Sequence, residues 1–286
     1  MGTNIKILIT GSDGQLGKEL EQIAPLFPGF EFIFFSKEDL PVHQPGLVKD
    51  FFKNNSPHYL INCAAYTAVD KAEQERDIAF RVNGEAPGVL AAVCKEKDCR
   101  FIHISTDYVF DGTASLPYKE DAATNPQTVY GASKLEGEMK AVQFDPAAII
   151  IRTSWVYSEF GKNFVKTMLK LFREKEEINV VNDQAGSPTY AADLAGVILQ
   201  IISSGQWQPG IYHYTNDGVI SWYEFAEVIR ELTGNSCKIN PIPTSDYPTA
   251  AKRPAYSVLD KTKIRQVYGV RLRNWQDSLA ECLKKF

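Results

Sequence analysis

Short apolar runs alternate with stretches of helical periodicity along the first half of the chain. The runs are rich in β-branched and aromatic residues and end in small or polar ones, which predicts buried strands. They fall at 5–10, 31–35, 59–65, 101–106 and 147–153. Helical periodicity is found at 15–23, 47–52 and 77–94. Strands that alternate with helices predict an α/β protein with a Rossmann-like, doubly wound parallel sheet.

The pattern becomes irregular in the second half, where glycine- and proline-rich loop signals appear. A helical stretch at 163–172 and a short strand at 178–181 come before this change. Ser221 followed by Glu224 is a capping box, which predicts a helix to about Leu232. We therefore expect a smaller C-terminal lobe over the carboxyl edge of the sheet.

Composition and charge exclude several classes of protein. The 286 residues are 44% hydrophobic and 23% charged, with a net charge of −4, which is typical of a globular protein without a nucleic-acid-binding surface. The five cysteines contain no Cys-x-x-Cys pair, which favours reduced thiols over disulfides or zinc ligands. Neither a signal-peptide pattern nor an apolar run of membrane-spanning length is visible. We expect a cytoplasmic protein that binds neither nucleic acid nor membrane.

Three glycines separate the first predicted strand from the first helix. Gly11, Gly14 and Gly17 form a Gly-x-x-Gly-x-x-Gly turn. The first permits a tight turn, the second lets the backbone approach a pyrophosphate, and the third lets the helix pack close to the strand. A glycine triplet can be an ordinary loop, but the order of strand, turn and helix predicts dinucleotide binding.

The end of the second strand bears on the choice of cofactor. An acidic residue there would bind the ribose 2′-hydroxyl of NADH. Here the strand ends in Ser36 and Lys37, with acids only at Glu38 and Asp39. A hydroxyl and a cation suit a 2′-phosphate, which favours NADPH, with NADH as the alternative. A purely solvated Lys37 is the other interpretation.

One tyrosine–lysine pair suggests proton transfer. Tyr130 and Lys134 are four residues apart, so a helix places them on one face, one turn apart. A nearby ammonium lowers the pKa of a phenol, which makes acid–base chemistry accessible at neutral pH. An exposed helical pair is the alternative interpretation, because about one such pair is expected by chance.

Longer stretches resemble a known family. Thr106 at a strand end, with Tyr130 and Lys134 beyond it, follows the glycine turn. This arrangement resembles the short-chain dehydrogenase/reductase family, in its extended branch that modifies sugar nucleotides. The more specific matching stretches lie at 62–73, 105–112, 152–157, 186–189 and 253–254. The resemblance therefore runs nearly from end to end.

The resemblance implies roles for individual residues, with Thr106, Tyr130 and Lys134 as the catalytic ones. The residues that it places at the cofactor are Gly11, Asp13, Gly14, Gln15, Leu16, Gly17, Ser36, Lys37, Leu40, Ala64, Ala65, Tyr66, Asn83, Tyr130, Lys134 and Thr153. The residues that it places at the substrate are Thr67, Val69, Thr106, Tyr108, Tyr130, Trp155 and Arg253. For Trp155, a place in the core is the alternative interpretation.

The implied reaction is hydride transfer from NADPH to the C4 ketone of a nucleotide sugar, dTDP-6-deoxy-L-lyxo-4-hexulose. Tyr130 would protonate the nascent alkoxide, and Thr106 would donate a hydrogen bond to the same oxygen. Lys134 would lower the pKa of the phenol and hold a ribose hydroxyl of the cofactor.

We divide the chain accordingly into two parts. An NADP(H)-binding Rossmann domain is expected over residues 1–153, with later crossings back near 176–182 and 210–233. A mainly substrate-binding lobe is expected over residues 154–286. The protein would act as a monomer or a homodimer.

Two departures from the family pattern matter. Relatives have an acid near the adenine where this chain has Leu40-Pro41-Val42, and proline offers no side-chain acceptor. Some relatives dimerise around a magnesium ion held by glutamates. Glu19 and Glu281 match two of those positions, but Ala192 occupies the third, so we predict no bound metal.

Other polar residues have ordinary interpretations. Asp107 and Asp111 are interpreted as turn caps rather than a metal pair. The four histidines show no ligand spacing, and His103, inside a strand, is interpreted as a satisfied core residue.

Two other functions stay open. One is an epimerase or dehydratase of the same branch, although Asp107-Tyr108 stands where dehydratases have an Asp-Glu pair. The other is a non-catalytic NADP-binding relative, such as the regulatory subunit of methionine adenosyltransferase. The intact catalytic set argues for an enzyme.

Overall fold

The computed structural model describes residues 5–286, and a parallel sheet of six strands lies at the centre of that part of the chain. The strands are β1 (Ile5–Thr10), β2 (Phe30–Phe35), β3 (Tyr59–Asn62), β4 (Arg100–Thr106), β5 (Ile149–Thr153) and β10 (Gly210–His213). Their order is β2-β1-β3-β4-β5-β10, and every pairing is parallel. The predicted fold class is confirmed, with β3 and β5 shorter than predicted.

Helices cover both faces of the sheet. One face carries α1 (Gln15–Ile23), α8 (Ala191–Ser203) and α10 (Thr262–Tyr268), and the other carries α2 (Pro45–Asn54), α5 (Ala86–Glu96) and α6 (Val129–Phe144). Side chains alternate accordingly, since Ile7 and Ile9 pack in the first layer and Leu8 in the second. Burial on both faces explains why the strands are almost continuously apolar.

The strand order creates a crevice at the carboxyl ends of β1 and β3. The chain passes from β1 to β2 on one side and then to β3 on the other side. The connections that follow β1 and β3 therefore leave in opposite directions. This is the topological switch point at which open α/β sheets bind ligands.

The helix predicted at 77–94 is interrupted. It consists of α4 (Arg76–Phe80), a π-helical turn (Arg81–Glu85) and α5. The turn packs closely on α6, because a Cβ at Gly137 would lie 2.0 Å from the carbonyl oxygen of Asn83. Single π turns inside helices are frequent at functional sites, and this one carries a predicted cofactor residue, Asn83.

The second lobe has its own hydrophobic core. Its elements are β6 (Val156–Tyr157), α7 (Phe164–Glu174), β7 (Glu177–Val181), β8 (Ala185–Gly186), β9 (Thr189–Tyr190), β11 (Ile220–Ser221), α9 (Trp222–Leu232), β12 (Lys238–Ile242) and α11 (Trp275–Leu283). The strands pair in twos, as β7 with β12, β6 with β9, and β8 with β11. The three helices close one apolar cluster around Phe225. The capping box of Ser221 and Glu224 is confirmed at the start of α9.

The two segments predicted to cross back lie in different parts of the structure. Residues 210–213 do return to the central sheet, as β10 beside β5. Residues 176–182 do not, because β7 pairs with β12 and directs Ile178 and Val180 into the second core. The division of the two parts into cofactor and substrate domains stays a prediction. Within residues 5–286, no helix is long and apolar enough to span a membrane.

Candidate active site

The glycine turn lies directly against the loop that follows β3. Gly11 has a φ of +68°, and a Cβ there would lie 2.6 Å from the Cα of Ala64. A Cβ at Gly17 would lie 2.5 Å from the Cα of Ser12. No side chain fits in either contact, so glycine is required for the turn to close over the end of β1.

The first turn of α1 is free to bind an anion. Its N-cap is Gly14, which has no capping side chain, and no acidic residue lies in the first turn. The N–H groups of an uncapped helix start, beside a backbone stripped of Cβ atoms, fit the pyrophosphate of a dinucleotide. Asp13 is exposed beside this turn, whereas Gln15 accepts a hydrogen bond from Asn163 at 2.8 Å and Leu16 packs in the core.

The end of β2 offers one cation to a ligand. Lys37 is exposed there. The hydroxyl of Ser36 donates to Asp39 at 2.6 Å, and this bond holds the pKa of Asp39 below its usual value. Leu40 is only 4% exposed and packs with Val48, so the structure places its side chain in the core rather than at the site.

Asn83 lies behind the cofactor loop. Its Oδ1 accepts from the N–H of Tyr66 at 2.8 Å, and its Nδ2 donates to the carbonyl of Tyr66 at 3.0 Å and to Ser133 at 3.1 Å. The residue is fully buried. Asn83 therefore holds the backbone that follows Ala64 and Ala65. The direct contact between Asn83 and the cofactor stays a prediction.

The predicted catalytic residues meet at the carboxyl edge of the sheet. Thr106 ends β4 and lies beside Thr153, which ends β5. Tyr130 lies in the first turn of α6, which packs tightly because a Cβ at Gly131 would lie 2.2 Å from the carbonyl oxygen of Tyr108. Burial raises the pKa of Tyr130, and the Thr106 hydroxyl nearby acts in the opposite direction.

Lys134 does not act on Tyr130 as predicted. Its Nζ is buried and donates to the carbonyl of Ile104 at 2.6 Å, with the Nε2 of His103 at 3.3 Å. Burial lowers the pKa of Lys134 to about 8. The lowered phenol pKa that we expected is wrong for this structure, because the lysine points into the sheet and burial dominates at Tyr130.

Asp107 belongs to the site, although we interpreted it as a turn cap. It is buried, and its Oδ1 accepts from the hydroxyl of Thr106 at 2.9 Å. Within residues 5–286 its Oδ2 has no hydrogen-bond partner. Burial raises the pKa of Asp107 to about 6. The interpretation as a cap does hold for Asp111, which accepts from Tyr118 at 2.7 Å and from Thr113 at 3.1 Å.

Two stacked tryptophans form one wall of a cleft next to the site. A cleft of about 580 Å³ extends from Tyr108 and Arg253 into the second lobe, and Trp155 and Trp222 both line it. Their rings stack with centroids 3.5 Å apart. Trp155 has a φ of +48°, and Gly186 leaves the space for its indole. A strained backbone that presents a half-buried ring to a cleft favours a role in binding over one in the core.

The remaining predicted substrate residues lie close by. Arg253 donates to the hydroxyl of Tyr108 at 3.2 Å and forms an ion pair with Asp70. The ring of Tyr108 meets that of Tyr130 edge to face at 5.5 Å. Asp70 is in α3 (Val69–Ala72), so Val69 is anchored beside the pair, and Thr67 is exposed on the preceding loop. Asp70 was not predicted, since its partner lies far along the chain.

The glutamates matched to a magnesium site have other partners. Glu19 accepts from the hydroxyl of Ser158 at 2.6 Å and lies 3.7 Å from Lys285. Glu281 forms an ion pair with Arg273. Among residues 5–286, no group of three His, Cys, Asp or Glu side chains is placed to hold a metal ion. The absence of a bound metal stays a prediction.

A doubly wound sheet with a glycine turn at its switch point defines a dinucleotide-binding protein, and the half-buried phenol of Tyr130 at the same edge fits the short-chain dehydrogenases and reductases. Within that class, the model described as "RmlD substrate binding domain" matches residues 5–286, and the chain belongs to that family. The family expectation made from the sequence is confirmed.

Curated and solved relatives agree with this assignment. The chain is 41% identical to a dTDP-4-dehydrorhamnose reductase of Aggregatibacter actinomycetemcomitans, over 96% of this chain and 97% of that one. It is 42% identical to the spore coat polysaccharide biosynthesis protein SpsK of Bacillus subtilis, over 98% of this chain and 97% of that one. A dTDP-4-dehydrorhamnose reductase of Bacillus anthracis, solved in complex with NADP, superposes on this structure with a TM-score of 0.94. The two are 36% identical, and the match covers 99% of this chain and 100% of that one.

The raised pKa of Asp107 predicts a pH-dependent stability. Folding raises the pKa from 3.8 to about 6, so this contribution is complete at low pH and is lost as the pH rises through that range. We expect the parent to lose about 2 kcal/mol of unfolding free energy relative to Asp107→Asn between about pH 4 and pH 7. Denaturant melts of both proteins across this range measure the difference.

Asp111→Asn is the matched control, because hydrogen bonds lower the pKa of Asp111. The stability that a lowered pKa contributes is present above the ordinary aspartate pKa and is lost only at lower pH, so the difference between the parent and Asp111→Asn should stay almost constant over the same range. A stability difference between parent and Asp107→Asn that stays constant with pH would contradict the assignment.

Proposed function

We propose that this protein reduces the C4 ketone of dTDP-4-dehydro-β-L-rhamnose with NADPH, giving dTDP-L-rhamnose for polysaccharide biosynthesis in the cytoplasm. The observation that supports it is the position of Tyr130 beside Thr106 at the carboxyl edge. The ring of Tyr108 lies against Tyr130 and lines a cleft of about 580 Å³, and the chain is closely similar to reductases of that name. The five cysteines, all free, suit a cytoplasmic enzyme.

The residues present fit the cofactor, which supplies the hydride when bound. The contacts at Gly11 and Gly17 and the uncapped start of α1 would hold the pyrophosphate. Lys37 would face the 2′-phosphate of the ribose, since it is exposed and no ion pair to it is found within residues 5–286. Thr153 and Ala64 would line the crevice between strand ends.

Tyr130 is a proton donor in this arrangement. Because burial raises its pKa, the phenol stays protonated at neutral pH and can give its proton to the oxygen of the reduced ketone. The ring of Tyr108 packs against it edge to face and limits its movement. A donor held in place contributes more than a mobile one, since its orientation need not be found during the reaction.

The contacts of Thr106 bear on the role that the family resemblance implies for it. Its hydroxyl has one hydrogen, and that hydrogen is donated to Asp107 at 2.9 Å. To donate to the substrate oxygen as well, the hydroxyl would have to turn away from Asp107. The oxygen of Thr106 also accepts from the N–H of Tyr108 at 3.3 Å, so two contacts hold this side chain beside Tyr130.

The decisive experiment is an assay that starts from dTDP-glucose with the upstream enzymes supplied. The purified protein should oxidise NADPH only when the 4-keto sugar nucleotide is present, and NMR should identify the product as dTDP-L-rhamnose. Binding of NADPH without turnover would instead support a non-catalytic relative. A product that differs in configuration with no net loss of NADPH would indicate an epimerase.

Tyr130→Phe tests the proton donor. The change keeps the ring but removes the hydroxyl, so kcat should fall by about 10²-fold or more, the usual scale of general acid catalysis. NADPH affinity, measured by fluorescence titration, should change little. Tyr108→Phe is the control in the same cleft, and we expect it to alter KM more than kcat. Parental turnover by Tyr130→Phe would remove this residue from catalysis.

Trp155→Ala and Trp155→Gly together test the substrate wall. Both lose the indole that can cover the apolar face of a deoxysugar, so both should raise KM for the sugar nucleotide. Only glycine relieves the positive φ, so Trp155→Gly should be more stable than Trp155→Ala by up to about 1 kcal/mol. Kinetics and thermal melts on the same samples separate the two effects. An unchanged KM in both variants would place Trp155 outside the site.

A further inference from the structure

One face of α1 is bonded to the chain segment that follows Trp155. Gln15 is the first residue of α1, and Glu19 lies one helical turn later, so both side chains are on the same side of the helix. Both reach residues 156–163, at the start of the second lobe. The helix that is expected to bind the cofactor pyrophosphate therefore contacts the segment that follows one of the two stacked tryptophans.

The amide of Gln15 forms two of these bonds. Its Nε2 donates to the carbonyl of Val156 at 3.3 Å, and its Oε1 accepts from the Nδ2 of Asn163 at 2.8 Å. Val156 follows Trp155 directly, so the first bond holds the backbone next to the indole. Asn163 is the N-cap of α7, so the second bond reaches the start of that helix.

Backbone groups fix the orientation of both amides. A carbonyl oxygen can only accept, so the atom of Gln15 that faces Val156 is the nitrogen. A backbone N–H can only donate, and that of Lys166 donates to Asn163 at 3.0 Å, so the atom of Asn163 that it faces is the oxygen. The nitrogen of Asn163 therefore faces the oxygen of Gln15. Both polar atoms of the Gln15 side chain have a matched partner in the second lobe.

Two further contacts hold the same segment against α1. The hydroxyl of Ser158 donates to the Oε1 of Glu19 at 2.6 Å and accepts from the N–H of Phe160 at 3.0 Å. Gly161 has a φ of +64°, and a Cβ there would lie 3.0 Å from the Cγ of Gln15. The loop therefore packs closely on the side chain of Gln15.

The place of Trp155 in the cleft depends on its backbone. Its φ is +48°, a conformation that persists in a residue with a side chain only where the surroundings hold it. The N–H of Thr189 donates to the carbonyl of Trp155 at 3.2 Å, and Gln15 holds the next carbonyl, that of Val156. We propose that Gln15 is a positioning residue whose side chain keeps the indole of Trp155 at a fixed place relative to the start of α1, and so sets the sugar nucleotide against the cofactor.

The inference rests on the proposed function for the two ligands that it brings together. Only the side chain of Gln15 bonds to the second lobe. Its backbone N–H lies at the start of α1, where no acceptor exists within the helix, and stays free for the pyrophosphate. A change of the side chain alone should therefore affect the substrate more than the cofactor.

The first test reads the tryptophan without any ligand. In protein labelled with 5-fluorotryptophan, the fluorine resonance missing from Trp155→Phe belongs to this residue. Gln15→Met keeps the length of the side chain but loses the amide donor, so the Trp155 resonance should shift or broaden. Trp207 packs on Tyr59 at the opposite edge of the sheet, and its resonance should stay in place. A Trp155 resonance that is the same in the parent and in Gln15→Met would overturn the proposal.

Gln22→Met is the matched control, because it makes the same change at an exposed position on the same helix. It should leave the Trp155 resonance and both ligand affinities as in the parent. Should Gln15→Met not fold, as judged by near-ultraviolet circular dichroism, Gln15→Ala takes its place, since alanine suits a helix and adds no bulk against the loop.

The second test reads the two ligands. In Gln15→Met the KM for the 4-keto sugar nucleotide should rise about fivefold, the fold-change of one net hydrogen bond, with a smaller effect on kcat. The affinity for NADPH, measured by fluorescence titration, should change little. A glutamine that serves only the fold would lower the melting temperature and leave both constants unchanged.

Two kinetic outcomes would contradict the proposal. One is an unchanged KM in Gln15→Met where Trp155→Ala raises it, and the other is an equal loss of affinity for both ligands. Failure of the proposed function looks different, because the parent would then not turn over the sugar nucleotide at all. The fluorine spectra would still decide whether Gln15 positions Trp155.

Discussion

The contact between the backbones at Gly11 and Ala64 is the constraint on which the rest of this structure depends. It exists because β1 and β3 are neighbours, so the two loops that leave them meet above the same crevice. The contact leaves no space for a side chain at the turn, exposes the start of α1, and brings the N–H of Ala64 onto Asn62. A binding surface above the sheet and a hydrogen bond within it thus share one origin.

Burial governs the chemistry of the catalytic edge more than any ion pair does. The same desolvation raises the pKa values of Asp107 and Tyr130 and lowers that of Lys134. Each shift disfavours the charged form and brings the pKa values of Asp107 and Lys134 closer to neutrality. Hydrogen bonds keep the donors and acceptors of this edge in fixed directions.

Local pattern was enough to predict the strands and the glycine turn, because these follow from apolar runs and the parallel topology, whereas the meeting of Thr106 with Tyr130 was implied by the family resemblance. The partners of polar groups were not predictable in the same way. Helical spacing places Lys134 near Tyr130 but does not say which way its side chain turns, and the carbonyl of Ile104 decides that. The place of β7 was not predictable for a related reason. Its sequence has the pattern of a central-sheet strand, but it pairs with β12, which lies far along the chain.

The carboxylate of Glu19 lies fully buried on α1, the helix that follows the glycine turn, and the cation nearest to it is Lys285. These residues stand near opposite ends of the sequence. A ribosome therefore makes α1 long before it makes the ammonium that balances this charge. In the folded protein burial raises the pKa of Glu19, whereas Ser158 and Lys285 act in the opposite direction. Lys285 thus supplies the positive charge that faces the first helix. Removal of this lysine would leave the carboxylate of Glu19 without its nearby cation.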